Sequence, residues 1–163
     1  PAHEAEPEAF EKAFRQHLIA FQTLVRAIVP GMKEQRSGRI INVISTSVKV
    51  VLPNLGVSNT IRGAVAQWAK TLANELGPWN ITVNNVLPGA TGTGRLKAII
   101  ANKSAKASIS VDKAAQEMKS EIPLRRFAEP EELAAAICFL AGPSAGYISG
   151  INLPVDGGRT ACL

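Results

Sequence analysis

Apolar positions along the chain follow two rhythms. Val57, Ile61, Val65, Trp68, Leu72 and Leu76 recur every three or four residues, which puts them on one face of a long helix. The same spacing joins Phe10, Phe14, Leu18, Phe21, Val25 and Ile28. Pro7 suits the first turn of that helix, Glu8 and Glu11 lie near its positive end, and Pro30 is expected to kink or end it. A third helix is expected from Pro130, with Leu133, Ala136, Ile137 and Leu140 as its buried face, up to Gly142-Pro143. The second rhythm is short and nearly unbroken. Arg39–Ile44, Asn80–Leu87 and Ile148–Val155 read as strands, the first of them buried on both faces of a parallel sheet. Residues 1–6 read as loop, and the Ala-, Ser- and Lys-rich stretch 94–125 shows only weak helical periodicity, over Val111–Ile122.

Strand, polar tip, loop and helix in succession make an α/β fold with its site outside the carboxyl ends of the strands. The polar tips are Ser45-Thr46-Ser47 and Pro88-Gly89-Ala90-Thr91-Gly92-Thr93. With 163 residues, 46% of them hydrophobic, the chain can build one core and one domain. No run approaches the roughly 20 apolar residues of a membrane span, and the acidic start PAHEAEPEAF is unlike a signal peptide. Cys138 and Cys162 have no metal-like spacing; they read as a buried helix thiol and a tail residue, which points to a reducing cytoplasm. The net charge of +5 is dispersed, without a basic block of five residues, and aromatics are 5%, so a nucleic-acid surface is not expected.

The stretch GRIINVISTSVKVVLPNLGVSNTIRGAVAQWAKTLANEL resembles the short-chain dehydrogenase/reductase family, in which Gly-Arg-Ile opens a strand, a catalytic Ser ends it, and a Tyr-x-x-x-Lys pair opens the next helix. Pro88-Gly89-Ala90-Thr91-Gly92-Thr93 resembles the family's Pro-Gly-x-x-x-Thr, and Pro-Glu-Glu-x-Ala, Phe-Leu and Val-Asp-Gly-Gly follow in the family's order. The resemblance implies three parallel strands with helices on both faces, the last part of a Rossmann-like doubly wound sheet. It covers residues 1–163 as one partial domain, with the N-terminal half of the domain missing and 93–125 as a substrate lid. It also implies an NAD or NADP cofactor, a small carbonyl or alcohol substrate, and a homodimer or homotetramer formed through the helices around Phe10–Ile28 and Ser58–Leu76.

Residue by residue, Ser45 falls on the family's catalytic serine. The tyrosine and lysine positions fall on Ser58 and Arg62, and His17 falls on an asparagine that helps to hold a relay water. Pro88, Gly89, Thr91 and Thr93 fall on contacts to the nicotinamide carboxamide, and Arg62 on a contact to its ribose. The family's tyrosine has no counterpart at its position; the one tyrosine, Tyr147, stands before the last strand. A serine hydroxyl unaided is too weak an acid for that role, and arginine stays charged and does not shuttle protons. No G-x-G-x-x-G or G-x-x-x-G-x-G turn occurs ahead of a helix, so a phosphate cradle for a dinucleotide is absent from these residues. Two readings of the intact protein stand: an oxidoreductase whose proton comes from His17, a water or the substrate, and a catalytically silent member that binds nucleotide or serves as an oligomerisation subunit. His17 itself is either a relay group or a helix histidine satisfied by a neighbour.

Overall fold

The computed structural model describes residues 1–162. Its centre is a three-stranded parallel sheet in the order β1 (Gly38–Val43), β2 (Ile81–Pro88), β3 (Asn152–Val155). The β1–β2 register runs from Gly38 opposite Ile81 to Val43 opposite Val86, and β2 pairs with β3 from Asn85 opposite Asn152. Because side chains alternate along each strand, Ile40, Ile81 and Val83 share one face, and they pack there against Val25, Ala69, Leu72, Ala73 and Leu76. Ile44 and Leu87 extend that face toward Val65, Ala66 and Phe21. These partners come from α2 (Ala20–Glu34) and α3 (Gly56–Leu76). On the opposite face α6 (Pro130–Ala141) sets Leu133, Ile137 and Leu140 against Ile41, Val86 and Leu153. The sheet therefore carries helices on both faces.

The long N-terminal helix runs unbroken from α1 (Pro7–Phe14) through a π-type turn (Arg15–Ile19) into α2. Pro30 does not end it: the helix continues to Glu34, because an exposed proline forfeits one backbone hydrogen bond while Val29 and Met32 on either side still pack into the core. The apolar stripe of this helix is only partly buried. Val25 is in the core and Leu18 and Phe21 pack against it, but Phe14 and Ile28 are 40% and 44% exposed.

Three other expectations are corrected. The first strand is not buried on both faces: Val43, on the outer strand of the three described, is 42% exposed. The third strand is shorter than the apolar run Ile148–Val155, since Gly150 takes a left-handed φ of 77° and the Asn84 side chain, fully buried, satisfies the backbone ahead of the strand: its amide donates to the Ile148 carbonyl (2.8 Å) and its oxygen accepts from the Ile151 N–H (3.3 Å). Cys138 is exposed, because on α6 it shares with Phe139 the face turned from the sheet. The N-terminal loop contains a 3-10 turn at Ala2–Glu4, and stretch 94–125 folds into α4 (Gly94–Ala107) and α5 (Val111–Ser120), with Leu96, Ile100 and Ala114 as a small core of their own. No helix among the described residues is long and apolar enough to cross a membrane.

A polar chain of side chains crosses all three strands on the α3 face. The Asn42 amide donates to the Asn85 side-chain oxygen (3.0 Å), and the Asn85 amide donates to Asn152 (2.8 Å). Asn42 and Asn85 are both buried. A buried donor deprived of its acceptor costs about 1–3 kcal/mol. Asn85→Ala breaks both bonds and strands the Asn42 amide, so it is expected to lower the unfolding free energy by at least about 2 kcal/mol, read from the urea midpoint. An unchanged midpoint would show that the ladder contributes nothing.

Candidate active site

The site is built where α3 begins. Leu55 precedes the helix without a side-chain cap, and the packed stripe from Ile61 to Leu76 holds α3 on β2. Ser58 and Arg62 are four residues apart and so lie one above the other on the same helix face, with about 6 Å between their Cβ atoms. The N-terminal helix passes beside them and places His17 inside its π-type turn. Such widened turns alter the direction in which a side chain leaves a helix and are frequent at functional positions.

His17, Ser58 and Arg62 line one cleft of about 440 Å³, together with Asn54 and with Arg95 from the first turn of α4. Three positions that stand 45 residues apart at their extremes in sequence are thus brought together. Arg95 was not singled out from sequence. Its signal was a cation directly after the Gly92-Thr93-Gly94 turn, at the positive end of a helix, where a cation is disfavoured.

Burial and the neighbouring Arg62 charge hold the His17 pKa below its ordinary 6.5. Burial and the charge of Arg95 likewise push Arg62 down from its ordinary value, although a guanidinium stays protonated throughout the working range. Among the described residues neither Arg62 nor Arg95 has an acidic partner at salt-bridge distance, and no carboxylate lines the cleft.

Ser45 is not part of that lining. It follows β1 and caps a short 3-10 turn, where its hydroxyl oxygen accepts from the Ser47 N–H (3.1 Å) and keeps its own proton for another acceptor. The loop Pro88–Thr93 is held separately. Gly89 donates to the Val155 carbonyl (2.9 Å), and a Cβ there would meet the Asp156 Cα at 2.7 Å, so only glycine lets β2 turn this close to the end of β3. Gly92 donates to the Ala128 carbonyl (2.8 Å), and Ala128 donates back to Ala90 (3.0 Å). Segment 126–129 is itself tied to α6: Arg126 makes a two-pronged contact to Glu132 (both 2.6 Å), and Glu132 also accepts from the Glu129 N–H (2.9 Å). The Arg126 bonds first and then the Glu129 N–H hold the Glu132 pKa down to about 2. The Thr93 hydroxyl is exposed at the start of α4, with only a long bond to the Thr91 carbonyl (3.3 Å). Neither Pro88, Gly89, Thr91 nor Thr93 lines the His17–Arg62 cleft.

Parallel strands with polar tips, and a cleft of imidazole, hydroxyl and guanidinium at the start of a helix, define an α/β protein whose site lies beyond the carboxyl ends of its sheet. A family model described as enoyl-(acyl carrier protein) reductase matches residues 1–160. The NADPH-dependent reductase BacG of Bacillus subtilis (strain 168) is 34% identical over 151 residues, 93% of this chain and 58% of that protein. Dehydrogenase/reductase SDR family member 4 of Sus scrofa is 31% identical over 160 residues, 98% of this chain and 54% of that protein. The crystal structure of L-sorbose reductase from Gluconobacter frateurii, complexed with NADPH and L-sorbose, superposes with a TM-score of 0.93 at 31% identity, covering 100% of this chain and 62% of that one. The chain belongs to the short-chain dehydrogenase/reductase family, and it spans little more than half the length of these two curated relatives.

The depressed His17 pKa carries a sign. Between the folded value and 6.5 the unfolded chain binds more protons than the folded one, so His17 makes stability rise with pH through that window. An NMR titration is expected to place the His17 midpoint below 6.5. In Arg62→Gln the midpoint should move up, while staying below the ordinary value because burial persists. No movement would mean that Arg62 does not act on His17.

Proposed function

We propose that this chain forms the substrate-facing part of an NAD(P)-dependent oxidoreductase acting on a carbonyl or alcohol carbon. The observation that carries the reading is the convergence of His17, Ser58 and Arg62 in one cleft, at the positions that a family member uses for chemistry. The NADPH named for BacG and for the L-sorbose reductase supports the same cofactor class.

The donor set suits the nicotinamide end of such a cofactor: Arg62 is a fixed cation for ribose hydroxyls, and the exposed Thr93 hydroxyl and the Pro88–Thr91 backbone offer bonds to a carboxamide. The cofactor, when bound, supplies or accepts the hydride. Ser45 lies outside the lining of the His17–Arg62 cleft, and its free hydroxyl hydrogen makes an oxyanion-type contribution only to a substrate oxygen that reaches the tip of β1. Ser58 orients that oxygen without serving as its acid. His17 handles the proton, directly or through a water. Because its pKa is lowered, the neutral imidazole prevails near neutral pH, and it takes a proton from an alcohol more readily than it gives one to a carbonyl. Arg62 holds charge and moves no proton.

The missing acid defines the test. In the full-length protein, Ser58→Tyr with Arg62→Lys places a phenol of suitable pKa beside a cation at the family's spacing. General acid–base catalysis is worth about 10²- to 10⁴-fold, so at least a roughly tenfold gain in NAD(P)H-dependent ketone reduction is expected. No gain over an inactive parent would favour a silent member. If the parent is active and the double variant slower, the proton path runs through His17, and His17→Ala should abolish it.

The assembly belongs to the same reading. Phe14, Ile19, Leu24 and Ile28 leave apolar surface exposed along the N-terminal helix, and a two-fold pairing of two copies would bury it. Leu24, 62% exposed, can take a charge without disturbing the core. Leu24→Glu is expected to shift sedimentation toward monomer; an unchanged profile would place the contact elsewhere.

A further inference from the structure

Arg126 and Glu132 grip the backbone on both sides of Ala128. The start of α6 needs only Glu132, whose carboxylate accepts from the Glu129 N–H (2.9 Å) as the far half of a capping box. Arg126 lies outside the helix, yet it bonds both Glu132 oxygens (2.6 Å each) and also donates to the Phe127 carbonyl (3.2 Å). Arg126 thus holds the C=O of the Phe127–Ala128 peptide, and the N–H of that same peptide donates to the Ala90 carbonyl (3.0 Å). Glu132 holds the N–H of the Ala128–Glu129 peptide, whose C=O accepts from the Gly92 N–H (2.8 Å). A peptide unit is planar and trans, so its C=O and N–H point in opposite directions and fixing one aims the other. Charge strengthens what the planes align. A guanidinium on the C=O makes the N–H a better donor, and a carboxylate on the N–H makes the C=O a better acceptor. With its pKa held down to about 2, Glu132 keeps its half of the pair charged at neutral pH.

These bonds make a parallel bridge between Thr91 and Ala128. In such a bridge the Ala90 carbonyl and the Gly92 N–H face Ala128, while the N–H and C=O of Thr91 itself face away from it. The Thr91 carbonyl accepts from the Thr93 N–H (2.7 Å), and the loop is pinned at its other end by Gly89 to the Val155 carbonyl (2.9 Å). We propose that Arg126 and Glu132 are positioning residues for the nicotinamide end of the cofactor, acting through Ala128 to aim the Thr91 N–H at the carboxamide. This rests on the reading of Pro88–Thr93 as the loop that meets that carboxamide. With Gly89 and Gly92 on either side of Thr91, the loop has little stiffness of its own and takes it from outside. A donor fixed before the ligand arrives needs no ordering on binding, so a support that never touches the ligand still raises affinity. Arg126 and Glu132 are both exposed, so neither is needed to fill the core.

Loop and ligand are read separately, in the full-length protein. Arg126→Met keeps the apolar stem and removes the bonds to Glu132 and Phe127. Hydrogen exchange at the Gly92 and Ala128 amides is expected to quicken by at least about threefold, with exchange in the middle of β2 unchanged. NADH and NADPH are then titrated beside ADP-ribose and its 2′-phosphate, which lack the nicotinamide. Arg126→Met should weaken the dinucleotide by about threefold to tenfold, the range of one net hydrogen bond, and leave its ADP-ribose counterpart unchanged. Glu132→Gln keeps an acceptor for the Glu129 N–H but loses the charge that holds Arg126, so it should give a smaller change of the same kind. Glu131→Gln, exposed on the same first turn of α6 and outside these bonds, should alter neither reading. Unchanged exchange at Gly92 and Ala128, or equal weakening of dinucleotide and ADP-ribose, would overturn the proposal. Faster exchange with dinucleotide binding unmoved would also overturn it, while the oxidoreductase reading stands. A full-length protein that binds neither NADH nor NADPH would instead overturn the oxidoreductase reading, and this proposal with it.

Discussion

The burial of α3 against β2 sets the geometry on which everything else depends. β2 is the central strand, buried from Ile81 through Leu87, and the helix lays Val65, Ala69, Leu72 and Leu76 along it. Small residues at Ala66, Ala69 and Ala73 let the helix lie close to the sheet. Once that contact forms, the first turns of α3 project past the ends of the strands, and Ser58 and Arg62 have nowhere to stand but the cleft. The N-terminal helix then packs across α3, and its π-type turn delivers His17.

Polar groups inside this core are handled by pairing with one another. The Asn42–Asn85–Asn152 ladder couples the three strands through side chains as well as backbone, and Asn84 on the other face does the work of the ladder where β3 has not yet begun. β2 pairs with β3 from Asn85 to Pro88 only, so backbone bonds alone do little to fix that register. Specific amide pairs favour one register over a shifted one, because a slip would strand several buried amides at once. At the strand tips the same economy appears in the loop Ala90–Gly92, which is strapped to segment 126–129 and through the Arg126–Glu132 pair to α6.

In the cleft the substitutions relative to the family's pattern act together. An arginine in the lysine position cannot lose its proton, so it offers permanent charge where a lysine's pKa could be tuned. A second arginine, Arg95, adds to the burial that pushes Arg62 down from its ordinary value, while burial and the Arg62 charge bias His17 toward neutrality.

Much of this was legible in the chain itself. The period of Val57–Leu76 and the short β-branched runs were enough for a parallel α/β fold, because helix and strand periodicities are local properties of the chain. The order of motifs was enough for the family and for His17, Ser45, Ser58 and Arg62 as positions of interest. Local patterns could not say how far each element continues. Pro30 stays within its helix because flanking residues are packed, and Gly150 shortens β3 because Asn84 satisfies the backbone before it. Stretch 94–125 looked weakly patterned because its helices bury a core of only a few side chains, so few positions needed to be apolar. Which charges meet was decided by tertiary structure alone. Arg62 and Arg95 are 33 residues apart and become neighbours only when α3 and α4 are both anchored at the carboxyl ends of the strands, since electrostatic fields depend on distance through space and leave no periodic mark in sequence.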